Sequence, residues 1–266
     1  SRGLGDVYKR QGFDNRWIDI YENEGKRSGA YSWGAYGTHP YVLLNYHGTL
    51  DHVFTLAHEM GHALHSYYSD KNQPYINAGY KIFVAEVAST CNESLLIHYL
   101  LGKTEDKKTR AYLINHFLEQ FKGTLYRQTM FAEFEKITHA MAEKGQTLTS
   151  DVLCKVYYDL NKLYFGENIV LDEEIALEWA RIPHFYNPFY VYQYATGMSA
   201  AIALSRKIMK EKEKGVEDYM KFLTGGNSKD PIDLLKLAGV DMNSKEPIEQ
   251  ALKLFEELLD EMEKLI

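Results

Sequence analysis

A mainly α-helical chain with one small β element near its start is what the sequence predicts, on three observations. From Thr49 onward, apolar residues recur at the 3.6-residue helical period. The one stretch that reads as a strand, residues 40–46, is bounded by Pro40 and Gly48. Glycine and proline at Gly145, Gly166, 183–188, Gly225, Gly226 and Gly239 then divide the remainder into helical lengths. With 266 residues, 45% of them hydrophobic and 25% charged, the chain has ample material for a core, which excludes disorder. That length allows one large domain or two small ones.

Taken in order, residues 1–11 show no periodicity and stay unassigned. Residues 28–48 mix Gly, Ser and aromatics and read as turns leading into the 40–46 strand, where Pro40 favours a place at a sheet edge. Val53, Leu56, Ala57, Met60 and Leu64 then mark a helix, with Thr49 or Asp51 as its N-cap. Asn, Pro and Gly make 71–79 a loop, and an apolar helix follows at 82–101. Further helices are expected at about 105–144, 149–164, 172–181, 189–214, 215–223, 231–238 and 246–265. The glycines at 225 and 226 read as a helix terminator, with a flexible loop as the alternative.

Composition narrows the function. A net charge of −7 with no basic block argues against a nucleic-acid surface. Two cysteines, Cys91 and Cys154, cannot build a disulfide scaffold. Residues 1–15 hold no signal-like apolar core, and stretches such as 94–101 are too short to span a bilayer. A soluble cytoplasmic chain with no membrane partner is therefore expected. It opens on Ser1, as a processed product or a fragment would. Aromatics reach 14%, and Tyr outnumbers Phe by 21 to 12, a bias that suits a wet groove.

One pentad carries chemistry. Residues 58–62 read His-Glu-Met-Gly-His. On a helix, His58 and His62 lie one turn apart on one face, so both imidazoles can reach a single ion. Zinc takes such nitrogens at about 2.0–2.1 Å, and Glu59 beside them can accept a proton from water. The bland reading is an exposed helix with two surface histidines, and the surrounding apolar stripe opposes it. His65 lies roughly 10 Å along the axis from His58, too far to share the ion; pairing it with His62 would leave Glu59 badly placed, so it reads as a packed residue or one that supports a ligand. A third ligand must come from elsewhere. Glu86 and Glu93 share one face of the otherwise apolar 82–101 helix, where unpaired acids are rare. Glu86 follows His62 at a distance that allows a loop and an antiparallel return, which leaves Glu93 near a histidine's second nitrogen. The competing reading has both acids facing solvent.

These motifs resemble the thimet oligopeptidase/oligoendopeptidase F group of zinc metallopeptidases, oligoendopeptidase F most of all. The resemblance is carried by HEMGHALHSYYS at 58–69, FVAEVAST at 83–90, TLYRQTMFAEFE at 124–135, HFYNPFYVYQYATG at 184–197, and FLTGG with PIDLLKLAGVDM within 222–242. It implies a helical zincin-type catalytic domain over 12–266, with the small β element beside the HExxH helix. It also implies one zinc ion per chain on His58, His62 and Glu86, with Glu59 as general base. Members of the group use a His and tyrosines of the corresponding segment to hold the oxyanion. That nominates His184 with Tyr192, then Tyr190, and Tyr194 behind them. Members are about twice as long, so an N-terminal helical half would be the missing partner of this catalytic half.

The expected activity is endopeptidase cleavage of short unstructured peptides, by attack of a metal-bound water that Glu59 deprotonates. A dipeptidyl carboxypeptidase or carboxypeptidase shares the same metal chemistry. A third reading is a metal-binding fragment or peptide-binding module with little turnover without its missing half. The 40–46 strand could take a peptide by backbone pairing, with Asn45, Tyr46 and the turn at Gly29, Ala30 and Tyr31 nearby.

Overall fold

Three short strands precede the first long helix in the computed structural model, which describes residue 10 and residues 12–266. The unassigned segment 1–11 therefore falls, apart from Arg10, outside the described residues. The strands are β1 (Ile18–Asp19), β2 (Tyr31–Trp33) and β3 (Tyr41–Leu43), in the sheet order β1-β3-β2. β3 pairs parallel to β1 and antiparallel to β2. The expected edge strand at 40–46 is therefore shorter and central. Pro40 sits just ahead of the paired residues, so its missing N–H costs the ladder nothing.

The helices are α1 (Leu50–Asn72), α2 (Tyr75–Ala78), α3 (Ile82–Lys103), α4 (Lys107–Gln120), α5 (Arg127–Glu143), α6 (Ser150–Phe165), α7 (Tyr192–Glu211), α8 (Glu213–Leu223), α9 (Pro231–Leu237) and α10 (Glu246–Leu265). The Thr49 side chain caps α1 by accepting from the His52 N–H, and Thr149 caps α6 in the same way from Val152. The single helix expected at 105–144 is two, α4 and α5, with a π-helical stretch at Phe121–Tyr126 between them. The segment Glu173–Arg181 is 3₁₀ rather than α, and a short helix, α2, interrupts the expected 71–79 loop.

The described chain divides into two compact units, one made of the residues up to 117 together with 197–266, the other of 118–196. In the first, Leu64, Val84, Val87, Ala201, Leu204 and Phe222 build a core among α1, α3, α7 and α8. A smaller cluster of Val42, Leu44, Met60 and Ala63 fastens the sheet onto α1. In the second, Met130, Phe131 and Phe134 of α5 pack with Tyr157 and Leu160 of α6 and with Ile182. The two glycines after α8 form a packed turn. Gly226 has φ +53°, and a Cβ there would lie 2.2 Å from the Asn77 carbonyl oxygen. Neither Cys91 nor Cys154 is in a disulfide among the described residues. Among the described residues, no helix is long and apolar enough to cross a membrane.

Candidate metal centre

The approach of α3 to α1 builds the centre. A Cβ on Gly61, inside the His58–His62 pentad, would lie 2.5 Å from Ser89 Cα and 2.8 Å from the Ala88 carbonyl oxygen. Only glycine lets the two backbones come this close. One turn away, the Asn92 amide donates to the Ala57 carbonyl across the same contact at 3.2 Å. Glu86 is thereby held opposite both histidines. Its Oε2 lies 3.1 Å from His58 Nε2 and 3.5 Å from His62 Nε2. The donor atoms of His58, His62 and Glu86 all fall within 4.8 Å of one another. Two imidazoles and a carboxylate are the donor set of many catalytic zinc sites, which leave a further position open. Behind His58, its Nδ1–H donates to Glu93 Oε2 at 3.0 Å, which turns Nε2 toward Glu86.

Electrostatics follow from this crowding. Burial opposes a charged His58, but the hydrogen bonds and charges of Glu86 and Glu93 outweigh it and push its pKa up to about 10. Burial would raise Glu86, yet His58 and His62 hold its carboxyl well below the usual range. Glu59 is only 7% exposed, and among the described residues its Oε2 has no hydrogen-bond partner. Burial raises its pKa against the pull of the two histidines. A buried carboxylate oxygen left unengaged beside a metal-type donor set fits a proton acceptor for a bound water. His65 is packed instead. It stacks on Tyr80 at 3.8 Å between ring centroids, and burial drives its pKa down to about 3.

A groove of about 600 Å³ opens over the centre, lined by His58, Glu59, His62, Glu86, Tyr80 and the residues of β2. Among the described residues β2 pairs only with β3, so its other edge faces outward carrying Tyr31 and Trp33, the latter 76% exposed. Asn45 and Tyr46 lie elsewhere, in a separate recess of about 400 Å³ with His47 and His52. The Asn45 amide is engaged in the fold, donating to the carbonyls of Arg27 and Gly29 at 2.9 and 2.8 Å. The free sheet edge beside the metal-type group is thus β2, a role that Pro40 had drawn toward β3 in the sequence.

The 184–194 segment belongs to the second unit. There the Tyr190 ring stacks on His184 at 5.6 Å, and Tyr194 Oη meets His184 Nε2 at 3.3 Å. Tyr192, at the start of α7, is 42% exposed. The structure thus brings Tyr190 and Tyr194 to His184. Sequence reading passed over two further residues. Gly61 was hidden inside the pentad. Glu135 of α5 carries the signal that singled out Glu86, an acid within an apolar helical run, here Phe131, Phe134 and Ile137. It is 3% exposed, Oε1 accepts the Phe189 N–H at 3.0 Å, and Oε2 has no hydrogen-bond partner among the described residues. Burial raises its pKa against the Phe189 hydrogen bond and the charges of His139 and His184.

Comparison with known proteins agrees with this architecture. The chain is 60% identical over 266 residues to the oligopeptidase PepF of Bacillus subtilis, covering 99% of this chain and 40% of that one. It is 48% identical to the chromosomal oligoendopeptidase F of Lactococcus lactis subsp. cremoris, covering 99% and 44%. The chain thus spans less than half the length of these relatives. A crystal structure from Chlamydophila abortus superposes with a TM-score of 0.90 at 45% identity, covering 99% of this chain and 45% of the other. That of oligoendopeptidase-F from Enterococcus faecium does so at 0.73 and 48%, covering 81% and 39%. Residues 4–254 match the model of peptidase family M3, and the chain belongs to that family.

Proposed function

We propose that the chain is the catalytic part of a zinc-dependent endopeptidase that hydrolyses short, unstructured oligopeptides. The observation that carries this reading is the convergence of His58, His62 and Glu86 next to a buried Glu59 with an unengaged oxygen. One zinc ion per chain, held by those three residues, would polarise the scissile carbonyl and acidify a water. Glu59 takes the proton of the attacking water and passes it to the leaving amine. Glu93 fixes the tautomer of His58. His184, with Tyr190 or Tyr192, donates to the developing oxyanion, a role supported by the resemblance of the 184–197 segment. An extended peptide adds to the open edge of β2, pairing by backbone and so tolerating varied sequences. A cytoplasmic setting is part of the same reading, and there the Cys91 and Cys154 thiols would stay reduced.

Glu59→Gln in the full-length protein tests the reading. Zinc content should stay at one per chain, while cleavage of a quenched peptide falls by about 10²–10⁴-fold. A zinc-loaded Gln variant with wild-type activity overturns the assignment. A peptide blocked at both ends separates the modes, since an endopeptidase cuts it internally and a carboxypeptidase leaves it intact.

A further inference from the structure

We infer that Glu135 is a positioning residue, which acts by fixing the turn at Phe189 that seats Tyr190 and Tyr194 against His184. The inference rests on the proposal above that the 184–194 segment serves the reaction. Phe189 has φ +58°, the left-handed region that a bulky side chain avoids. Such a conformation persists only where its surroundings over-determine it. Helix α5 supplies that grip twice, one turn apart. Glu135 Oε1 accepts the Phe189 N–H at 3.0 Å, and the His139 ring packs on the Phe189 ring at 4.7 Å between centroids. The next residue, Tyr190, lies on His184 with ring planes 18° apart, and Tyr194 closes the cluster by its edge contact with Tyr190 at 5.6 Å. The chain of contacts runs from α5 through one strained peptide to the three polar rings.

A buried carboxylate is an expensive way to accept one hydrogen bond, and the empty Oε2 makes it more so. Its neighbours on α5, Met130, Phe131 and Phe134, are core residues, so an apolar side chain would pack there at lower cost. The acid is therefore explained by what it holds. Withdrawing the acceptor lets Phe189 relax toward ordinary backbone geometry and carries Tyr190 off His184. Misplacement of transition-state donors by an ångström lowers turnover more than substrate binding.

The test uses the zinc-loaded, full-length protein. Glu135→Met removes the acceptor at nearly constant volume and should lower kcat about 10²-fold with KM little changed. Glu135→Gln keeps an acceptor oxygen and should restore kcat toward wild type. In a His184→Ala background, Glu135→Met should cost little further, because both act through one cluster. Wild-type kcat in Glu135→Met, or full additivity with His184→Ala, overturns the inference. If Glu135→Met does not fold, Glu135→Asp replaces it, since it keeps the charge but shortens the arm. Low kcat in Asp with recovery in Gln supports positioning, and the reverse order overturns it. A wild-type protein that binds zinc yet cleaves no peptide would instead remove the peptidase reading itself.

Discussion

At the scale of single residues, the centre shows why a carboxylate behind a ligand matters. Glu93 is not one of the three donors, but it accepts from His58 Nδ1 at 3.0 Å and so fixes which nitrogen faces Glu86. Partners of this kind typically change metal affinity by about 10–100-fold, and Glu93→Gln should weaken zinc binding by that amount. Competition against a chelator of known affinity measures it, and unchanged affinity removes Glu93 from the site. His65 poses a different question, of stability against pH. Its folded pKa of about 3 lies below the unfolded value of 6.5. Above pH 6.5 both states hold it neutral, and no penalty exists. As pH falls from 6.5 toward 3, the unfolded chain takes up a proton that the folded chain refuses, so stability declines. The slope from this one group is at most about 1.4 kcal/mol per pH unit. His65→Phe keeps a ring against Tyr80 and removes an Nδ1 that has no partner. Urea midpoints at pH 7 and pH 5 should differ less in His65→Phe than in wild type. An equal difference in the two proteins contradicts the buried-neutral assignment.

At the scale of elements, the contact between α1 and α3 decides whether a site exists. Gly61→Ala would gain about 0.5–1 kcal/mol of helix propensity. Against that stands a Cβ 2.5 Å from Ser89 Cα, an overlap with backbone that no rotamer relieves. Overpacking of this kind costs about 1–3 kcal/mol and separates the helices, so the loss wins. Gly61→Ala should melt at lower temperature and retain less zinc, and a variant with both properties unchanged refutes the close approach. The two helices were legible in the sequence for a simple reason. His58, His62, Glu86 and Glu93 sit at turn-length spacings on apolar stripes, and helical geometry is local. Sheet order was not legible, because β1 is two residues long and no pattern marks Ile18–Asp19 as a partner. The free edge consequently passed from β3 to β2. The partners of His184 stayed open as well, because they depend on a 3₁₀ turn at Pro183–Tyr186 and on the positive φ of Phe189, which no periodicity encodes. If β2 is where peptides pair, N-methylating a substrate residue that donates to it should lower kcat/KM about tenfold, the worth of one hydrogen bond. N-methylation at the alternating positions should be tolerated. Equal effects at all positions would argue against strand addition.

At the scale of the whole molecule, metal binding and substrate grip separate. All the proposed zinc ligands and Glu93 come from α1 and α3, within one compact unit, so on the proposed reading zinc affinity should be a property of that unit. Substrate grip is not local in the same way. β2 offers three residues for pairing, whereas an extended octapeptide runs about 26 Å. If peptides pair with β2 as proposed, most of a longer substrate must be held by surface beyond it. The relatives contain more than twice this length of chain, which is where such surface would come from. If the chain is the catalytic part of a longer protein, as proposed, residues 1–266 alone should bind zinc as tightly as that full-length protein, and a chelator should silence both. On a tripeptide-length substrate their kcat/KM values should be near one another. As the peptide lengthens to eight residues, the full-length protein should pull ahead, because each added residue meets surface that the shorter chain lacks. A series of quenched peptides of increasing length, assayed on both proteins at matched zinc content, measures this directly. A constant ratio across the series would mean that the groove over His58, Glu59 and His62 already contains the whole of the substrate's grip.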